Sequence, residues 1–142
     1  FITDEAAYRA RLADMFKVAD IIKTSDEDLE WITGGTDAGA LFEGTAVQVI
    51  LLTRGAQGVT VLTRAGRAEV PAVKATVVDT VGAGDTFSAG FLADLHKASL
   101  LTKATLPTAT MDDLTRAAGF GARVAAITVA RAGANPPWAA EL

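Results

Sequence analysis

The chain has no cysteine and a single histidine among 142 residues. Without thiols there can be no disulfide scaffold, no thiolate metal site and no cysteine nucleophile. One histidine also argues against a zinc centre, which draws on several His and Cys ligands. Positive charge is in short supply: 13 Lys and Arg stand against 17 Asp and Glu, a net charge of −4. Domains that bind nucleic acid usually carry a basic stripe, so no nucleic-acid partner is expected. No apolar run approaches the roughly 20 residues of a membrane span, so no membrane partner is expected either. The first residues show no signal-peptide pattern, and a cytoplasmic protein is the expectation. The sequence begins at Phe1 rather than Met, already inside a helical pattern, as a processed chain or a piece of a longer one would.

What is present is a chain that is 50% hydrophobic, enough for one domain with a real core. Ala7, Leu12, Met15 and Phe16 recur at helical spacing and predict an amphipathic helix over 4–17. Residues 18–23 form a short, mostly apolar run that suits a buried strand. Ser25 is a suitable N-cap for a second helix, with Asp26, Glu27 and Asp28 in its first turn and Gly34-Gly35 at its end. A short helix is expected over 37–44. Residues 47–53 are the clearest strand, apolar on both faces. Gly55 and Gly58 break it, and 59–63 with 67–70 read as a hairpin. Further helices are expected from about 86 to 100 and over 112–130, separated by a polar loop containing Pro107. Alternating strands and helices with one inserted hairpin indicate an α/β fold with a mainly parallel sheet.

The chemistry concentrates in Gly82-Ala83-Gly84-Asp85, between an extended segment and a strong helix. Glycines there let backbone N–H groups approach an anion, and the helix N-terminus adds partial positive charge. A purely structural turn, with Asp85 as N-cap, explains the same residues. Two nucleotide motifs fail. A dinucleotide fingerprint needs a third glycine where Phe87 stands, and a Walker loop needs Gly-Lys-Ser/Thr.

The longer string Asp79-Thr80-Val81-Gly82-Ala83-Gly84-Asp85-Thr86-Phe87-Ser88-Ala89-Gly90-Phe91-Leu92 resembles the second signature of PfkB-family, ribokinase-like carbohydrate kinases over fourteen consecutive positions. The resemblance implies a ribokinase-like fold in which residues 1–142 are the C-terminal, ATP-binding part of a sugar kinase domain. It implies that Gly82, Ala83 and Gly84 line the anion hole for the transferring γ-phosphoryl group and that Asp85 is the catalytic base. Asp79 and Val81 fall where relatives hold a monovalent cation such as K⁺; a turn-stabilising side chain is the alternative for Asp79. Thr53-Arg54-Gly55-Ala56-Gln57-Gly58 matches the family's Thr-x-Gly-x-x-Gly element beside the nucleotide, which implicates Thr53, Gly55 and Gly58. Residues 132–138 resemble the family's C-terminal Gly-Ala loop, which brings Gly133 to the cation and Asn135 to the nucleotide. Ser25 and Asp28 stand where many members carry Asn-x-x-Glu, which organises Mg²⁺ and phosphate; helix capping is the safer reading of Ser25. Ala122 or Arg123 replaces an Asn that many relatives place near the adenine.

The resemblance reaches bacterial fructokinases most closely, through residues 23–29 and 131–138, with 2-keto-3-deoxygluconate and ribose-type sugars as alternative substrates. It covers only the C-terminal portion of the family's fold; Gly34-Gly35 lacks the context of the family's N-terminal Gly-Gly motif. The competing reading is a catalytically incompetent piece that serves as a nucleotide-binding or structural module. Homo-oligomers are expected if an uncovered apolar face remains. His96 is expected to be structural, and Trp31 and Trp138 to be packing residues.

Overall fold

Asp4 opens the first helix, its carboxylate accepting the Ala7 amide at 3.0 Å. The computed structural model describes residues 2–142. Helix α1 (Glu5–Val18) is followed by strand β1 (Ile21–Ser25) and helix α2 (Asp26–Thr33). A short 3₁₀ stretch, Ala38–Phe42, leads to β2 (Val49–Thr53). The hairpin strands are β3 (Val59–Thr63) and β4 (Gly66–Val70), and two long helices complete the chain, α3 (Ala83–Lys97) and α4 (Met111–Val129). Among the described residues, no helix is long and apolar enough to cross a membrane.

The sheet has the order β1-β2-β3-β4. β1 and β2 are parallel, with Ile22 opposite Ile50 and Lys23 opposite Leu51. β2–β3 and β3–β4 are antiparallel. The fold is α/β as expected, but the parallel character is confined to the one strand pair joined through a helix. Tight connections at Arg54–Gly58 and at Ala65 can only join antiparallel neighbours, because a parallel crossover needs a dozen or more residues.

Each face of the sheet carries its own core. On one side Val49, Leu51, Val59 and Val61 pack against Phe87, Phe91 and Leu95 of α3 and Leu114, Ala117 and Ala118 of α4. On the other, Ile22, Ile50 and Leu52 meet Leu29 of α2 and Leu41 and Phe42 of the 3₁₀ stretch. β2 is thus buried on both faces, which accounts for its unbroken apolar run.

The two long helices touch through glycine. A Cβ on Gly90 would lie 2.9 Å from Cα of Gly121, and one on Gly121 would lie 2.6 Å from the carbonyl oxygen of Phe87. This close approach fixes the middle of α3 against the middle of α4. Thr110 and Asp113 form a reciprocal capping box that starts α4, with Arg116 also bound to Asp113.

Several boundaries differ from expectation. β1 begins at Ile21 because α1 runs on to Val18. α3 begins at Ala83, so Asp85 lies inside its first turn and is not the N-cap. Trp31 is exposed, in contact with Tyr8 and under the Arg9 guanidinium, and Trp138 is 80% exposed, so neither is a core residue. His96 is exposed.

Candidate active site

Gly82 sets the turn. It adopts φ 78°, ψ 0°, a left-handed conformation that favours glycine, immediately before α3. A Cβ there would also lie 2.9 Å from the Ala134 methyl group. The Ala83 amide closes a tight turn onto the Thr80 carbonyl at 3.2 Å, and the Thr86 amide returns to Gly82 at 2.9 Å. Between them, the amides of Gly84 and Asp85 have no acceptor among the described residues. Of the residues expected to line the anion hole, Gly84 keeps its amide free, whereas that of Ala83 is engaged in the turn itself.

The Asp85 side chain is exposed and makes no hydrogen bond to the described residues. The hydroxyl of Thr86 donates back to the carbonyls of Gly82 and Ala83, and that of Ser88 to Gly84. Neither competes for the free amides. Asp85 therefore stands beside two open donors with its own acceptor oxygens available.

Asp79 ties this turn to the C-terminal loop. One carboxylate oxygen accepts the Val81 amide at 3.0 Å and the other accepts the Gly133 amide at 2.9 Å. The amides of Val81, Gly133 and Thr80 hold its carboxyl below the usual carboxylate value. The three residues suggested for a cation are thus brought together, but around a carboxylate already engaged with backbone. The carbonyl of Val129, at the end of α4, receives the amides of Val78 and Asp79 at 2.7 and 3.2 Å and anchors the segment from beneath.

The loop after β2 is a compact 3₁₀ turn. Arg54 and Gly58 are joined by an amide–carbonyl bond of 2.9 Å, and the Arg54 guanidinium reaches Thr60 at 2.7 Å and Glu69 at 2.6 Å. Thr53 donates its hydroxyl to the Thr24 carbonyl at 3.2 Å, stitching β2 to β1. Gly58 has a steric reason to be glycine: at φ 93°, a Cβ would lie 2.2 Å from the Val70 carbonyl oxygen. Gly55, at φ 50°, has open space where a Cβ would be.

Ser25 accepts the Asp28 amide at 3.0 Å and is the N-cap of α2. Asp26, Glu27 and Asp28 are exposed on that helix's first turn. Among the described residues, no three His, Cys, Asp or Glu side chains gather as a metal site. Asn135 lies exposed on the C-terminal loop, its amide bonded to the Gly133 carbonyl at 2.8 Å.

The residue that sequence reasoning passed over is Lys23. A Cβ on Gly84 would lie 2.9 Å from its Nζ, so the ammonium rests directly against the glycine of the turn. The strand alternation of β1 held part of the signal, since Ile22 and Thr24 are buried on one face and Lys23 belongs to the other. Nothing in the sequence placed the start of α3 beside it.

Comparison with known proteins is consistent across this framework. A family profile described as pfkB family carbohydrate kinase matches residues 2–141. The chain is 44% identical over 106 residues to a fructokinase of Rhizobium leguminosarum bv. trifolii, covering 72% of this chain and 32% of the relative. Among solved structures, an aminoimidazole riboside kinase from Salmonella enterica, complexed with aminoimidazole riboside and an ATP analog, superimposes with a TM-score of 0.79. It is 25% identical, over 92% of this chain and 42% of that one. A fructokinase with bound ATP from Xylella fastidiosa gives a TM-score of 0.76 at 30% identity, over 89% of this chain and 41% of its own. The chain thus spans between about a third and two fifths of the length of these relatives.

Proposed function

The chain belongs to the pfkB family of carbohydrate kinases, and we propose that it is the nucleotide-handling part of an ATP-dependent sugar kinase acting on fructose. The observation that carries this reading is the turn at Gly82–Asp85, where two free amides and an unengaged carboxylate share the start of one helix. The fold beneath it is ribokinase-like. Fructose is favoured as acceptor by the 44% identity to the Rhizobium enzyme.

In this account a sugar hydroxyl attacks the γ-phosphorus of ATP as the bond to the ADP oxygen breaks. Asp85 accepts the hydroxyl proton. The amides of Gly84 and Asp85 bind the equatorial oxygens of the transferring group, where charge is spread in the transition state. Ala83 contributes through the turn that aims them, and Gly82 through the left-handed conformation that starts it. Thr53, Gly55 and Gly58 border the nucleotide on the adjoining strand exit, with Asn135 on the C-terminal loop.

Mg²⁺ fits this site only as an ion held mainly by phosphate oxygens and water, with at most a carboxylate such as Asp28 in support. A monovalent cation such as K⁺ would be held by the carbonyl oxygens of Val81 and Gly133 beside the negative charge of Asp79, whose two oxygens each accept an amide of those residues. Either ion would supply charge neutralisation when bound.

In this account the sugar is held by residues outside these 142. Transfer requires both reactants in near-attack geometry, so the 142-residue chain alone is expected to turn over little or no fructose. The second reading is a nucleotide-binding or structural module that does not transfer phosphate.

A coupled ADP-release assay separates the two, run with fructose, 2-keto-3-deoxygluconate and ribose on the 142-residue chain and on the full-length protein. Fructose-dependent turnover confined to the full-length protein is the expected result. Turnover of none of the sugars by the full-length protein would overturn the kinase reading.

A further inference from the structure

The exit of β2 carries an arginine on the sheet face turned away from the glycine turn. Leu52 belongs to the core shared with α2, and strand alternation returns Arg54 to that face, opposite the one covered by α3. Thr60 on β3 stands opposite Leu52, and Glu69 on β4 stands opposite Thr60, so both share the same face. Nη2 of Arg54 donates to the Thr60 hydroxyl oxygen at 2.7 Å and to the Glu69 carboxylate at 2.6 Å. The Thr60 hydroxyl donates to the same Glu69 oxygen at 2.9 Å, which closes a triangle over a buried threonine.

Folding stability gives little reason for this arrangement. The Arg54 side chain is 30% exposed and that of Glu69 57%, an ion pair of the kind that contributes little to stability. Nε of Arg54 is buried without a hydrogen-bond partner among the described residues, which costs free energy. What the triangle does hold is the loop. Gly55, Ala56 and Gln57 are exposed, and the Gln57 amide donates to the Arg54 carbonyl at 2.9 Å. At the far end Gly58 rests so close to the Val70 carbonyl oxygen that no Cβ would fit. Both ends of the loop are thus tied to neighbouring residues of β4, one through backbone contact and one through the Arg54 side chain.

We propose that Arg54 is a positioning residue for nucleotide binding: through Glu69 and Thr60 it holds the exposed turn Gly55–Gln57 in the conformation that accepts ATP, without touching the nucleotide itself. The proposal rests on the reading of Thr53, Gly55 and Gly58 as the border of the nucleotide. A loop free to leave its competent conformation binds more weakly by the fraction of time it spends there. Arginine suits the role because its planar, rigid group presents donors to two acceptors at once, whereas lysine offers a mobile point charge.

The test uses the full-length protein with ATP and fructose. Arg54→Met should raise KM for ATP roughly tenfold, as for a turn that is competent about a tenth of the time. Its kcat and its KM for fructose should not change, and its melting temperature should fall little. Glu69→Ala should act in the same direction, and the double variant should be no worse than Arg54→Met alone, because residues of one network are not additive. Arg54→Lys should recover part of the affinity for ATP. Hydrogen exchange at residues 55–57 should be slowed by ADP in the wild-type protein and should quicken in Arg54→Met.

A folded Arg54→Met variant whose KM for ATP lies within about twofold of wild type, against the expected rise, would overturn the proposal. A fall in kcat with KM for ATP unchanged would overturn it as well. If Arg54→Met does not fold, Glu69→Ala takes its place, and an unchanged KM for ATP in that variant overturns the role. Slowed exchange with ADP beside an unimpaired Arg54→Met removes the Arg54 role alone. Exchange at residues 55–57 that ADP leaves unaltered removes the reading of this loop as the nucleotide border, and the Arg54 role with it.

Discussion

The Asp79 carboxylate accepts the amide of Gly133 at 2.9 Å, joining two points 54 residues apart. The same carboxylate accepts the Val81 amide, so one side chain couples the glycine turn to the loop that closes the chain. Gly82 and Ala134 touch at the same junction.

Asp79→Ala should therefore release both sides at once. Hydrogen exchange at the amides of Val81 and Gly133 is expected to accelerate, while the amides of β2 stay protected. Because the folded carboxyl is held below its ordinary value of 3.8, its contribution to stability is present above that pH and lost as pH falls further. Unchanged exchange at Gly133 would remove the coupling.

Two glycines on α4 should respond with opposite sign. A Cβ on Gly121 would press the Phe87 carbonyl at 2.6 Å, whereas one on Gly119 would meet nothing. Gly119→Ala is expected to stabilise by up to about 1 kcal/mol through helix propensity. Gly121→Ala receives the same gain but should destabilise, since overpacking costs about 1–3 kcal/mol. Thermal unfolding of the two variants measures the difference directly, and a stabilised Gly121→Ala would refute the close contact.

The N-terminus of α4 predicts an acid response. The Thr110 hydroxyl first, and Arg116 next, hold the Asp113 carboxyl at about 2, against an ordinary 3.8. A depressed folded value means stability that is full above about pH 4 and is lost as pH falls toward 2. Asp113→Asn should lower the melting temperature at neutral pH and flatten the acid limb of the profile. A variant whose melting curve parallels that of wild type from pH 2 to 7 would contradict this.

Legibility in the sequence followed the range of the interactions. Ser25 as cap, Gly34 as stop and the run from Asp79 to Leu92 are local, and each could be read from neighbouring residues. Gly90 lies within that run, but the sequence does not point to its partner Gly121. The antiparallel pairings outnumber the parallel one because connection length, not strand composition, decides direction. The start of α3 was misplaced because left-handed Gly82 and the Thr80–Ala83 turn override the capping preference of Asp85. The Asp79–Gly133 tie and the approach of Lys23 to Gly84 join distant segments, and no local pattern encodes them.

The central claim is that Asp85 takes the proton from the attacking hydroxyl. Its most direct test is Asp85→Asn in the full-length protein, with single-turnover rates and ATP affinity measured together. The account predicts a fall in the transfer rate of about 10²–10⁴-fold, the usual scale of general-base catalysis, with ATP affinity preserved. A transfer rate that survives the substitution would contradict it.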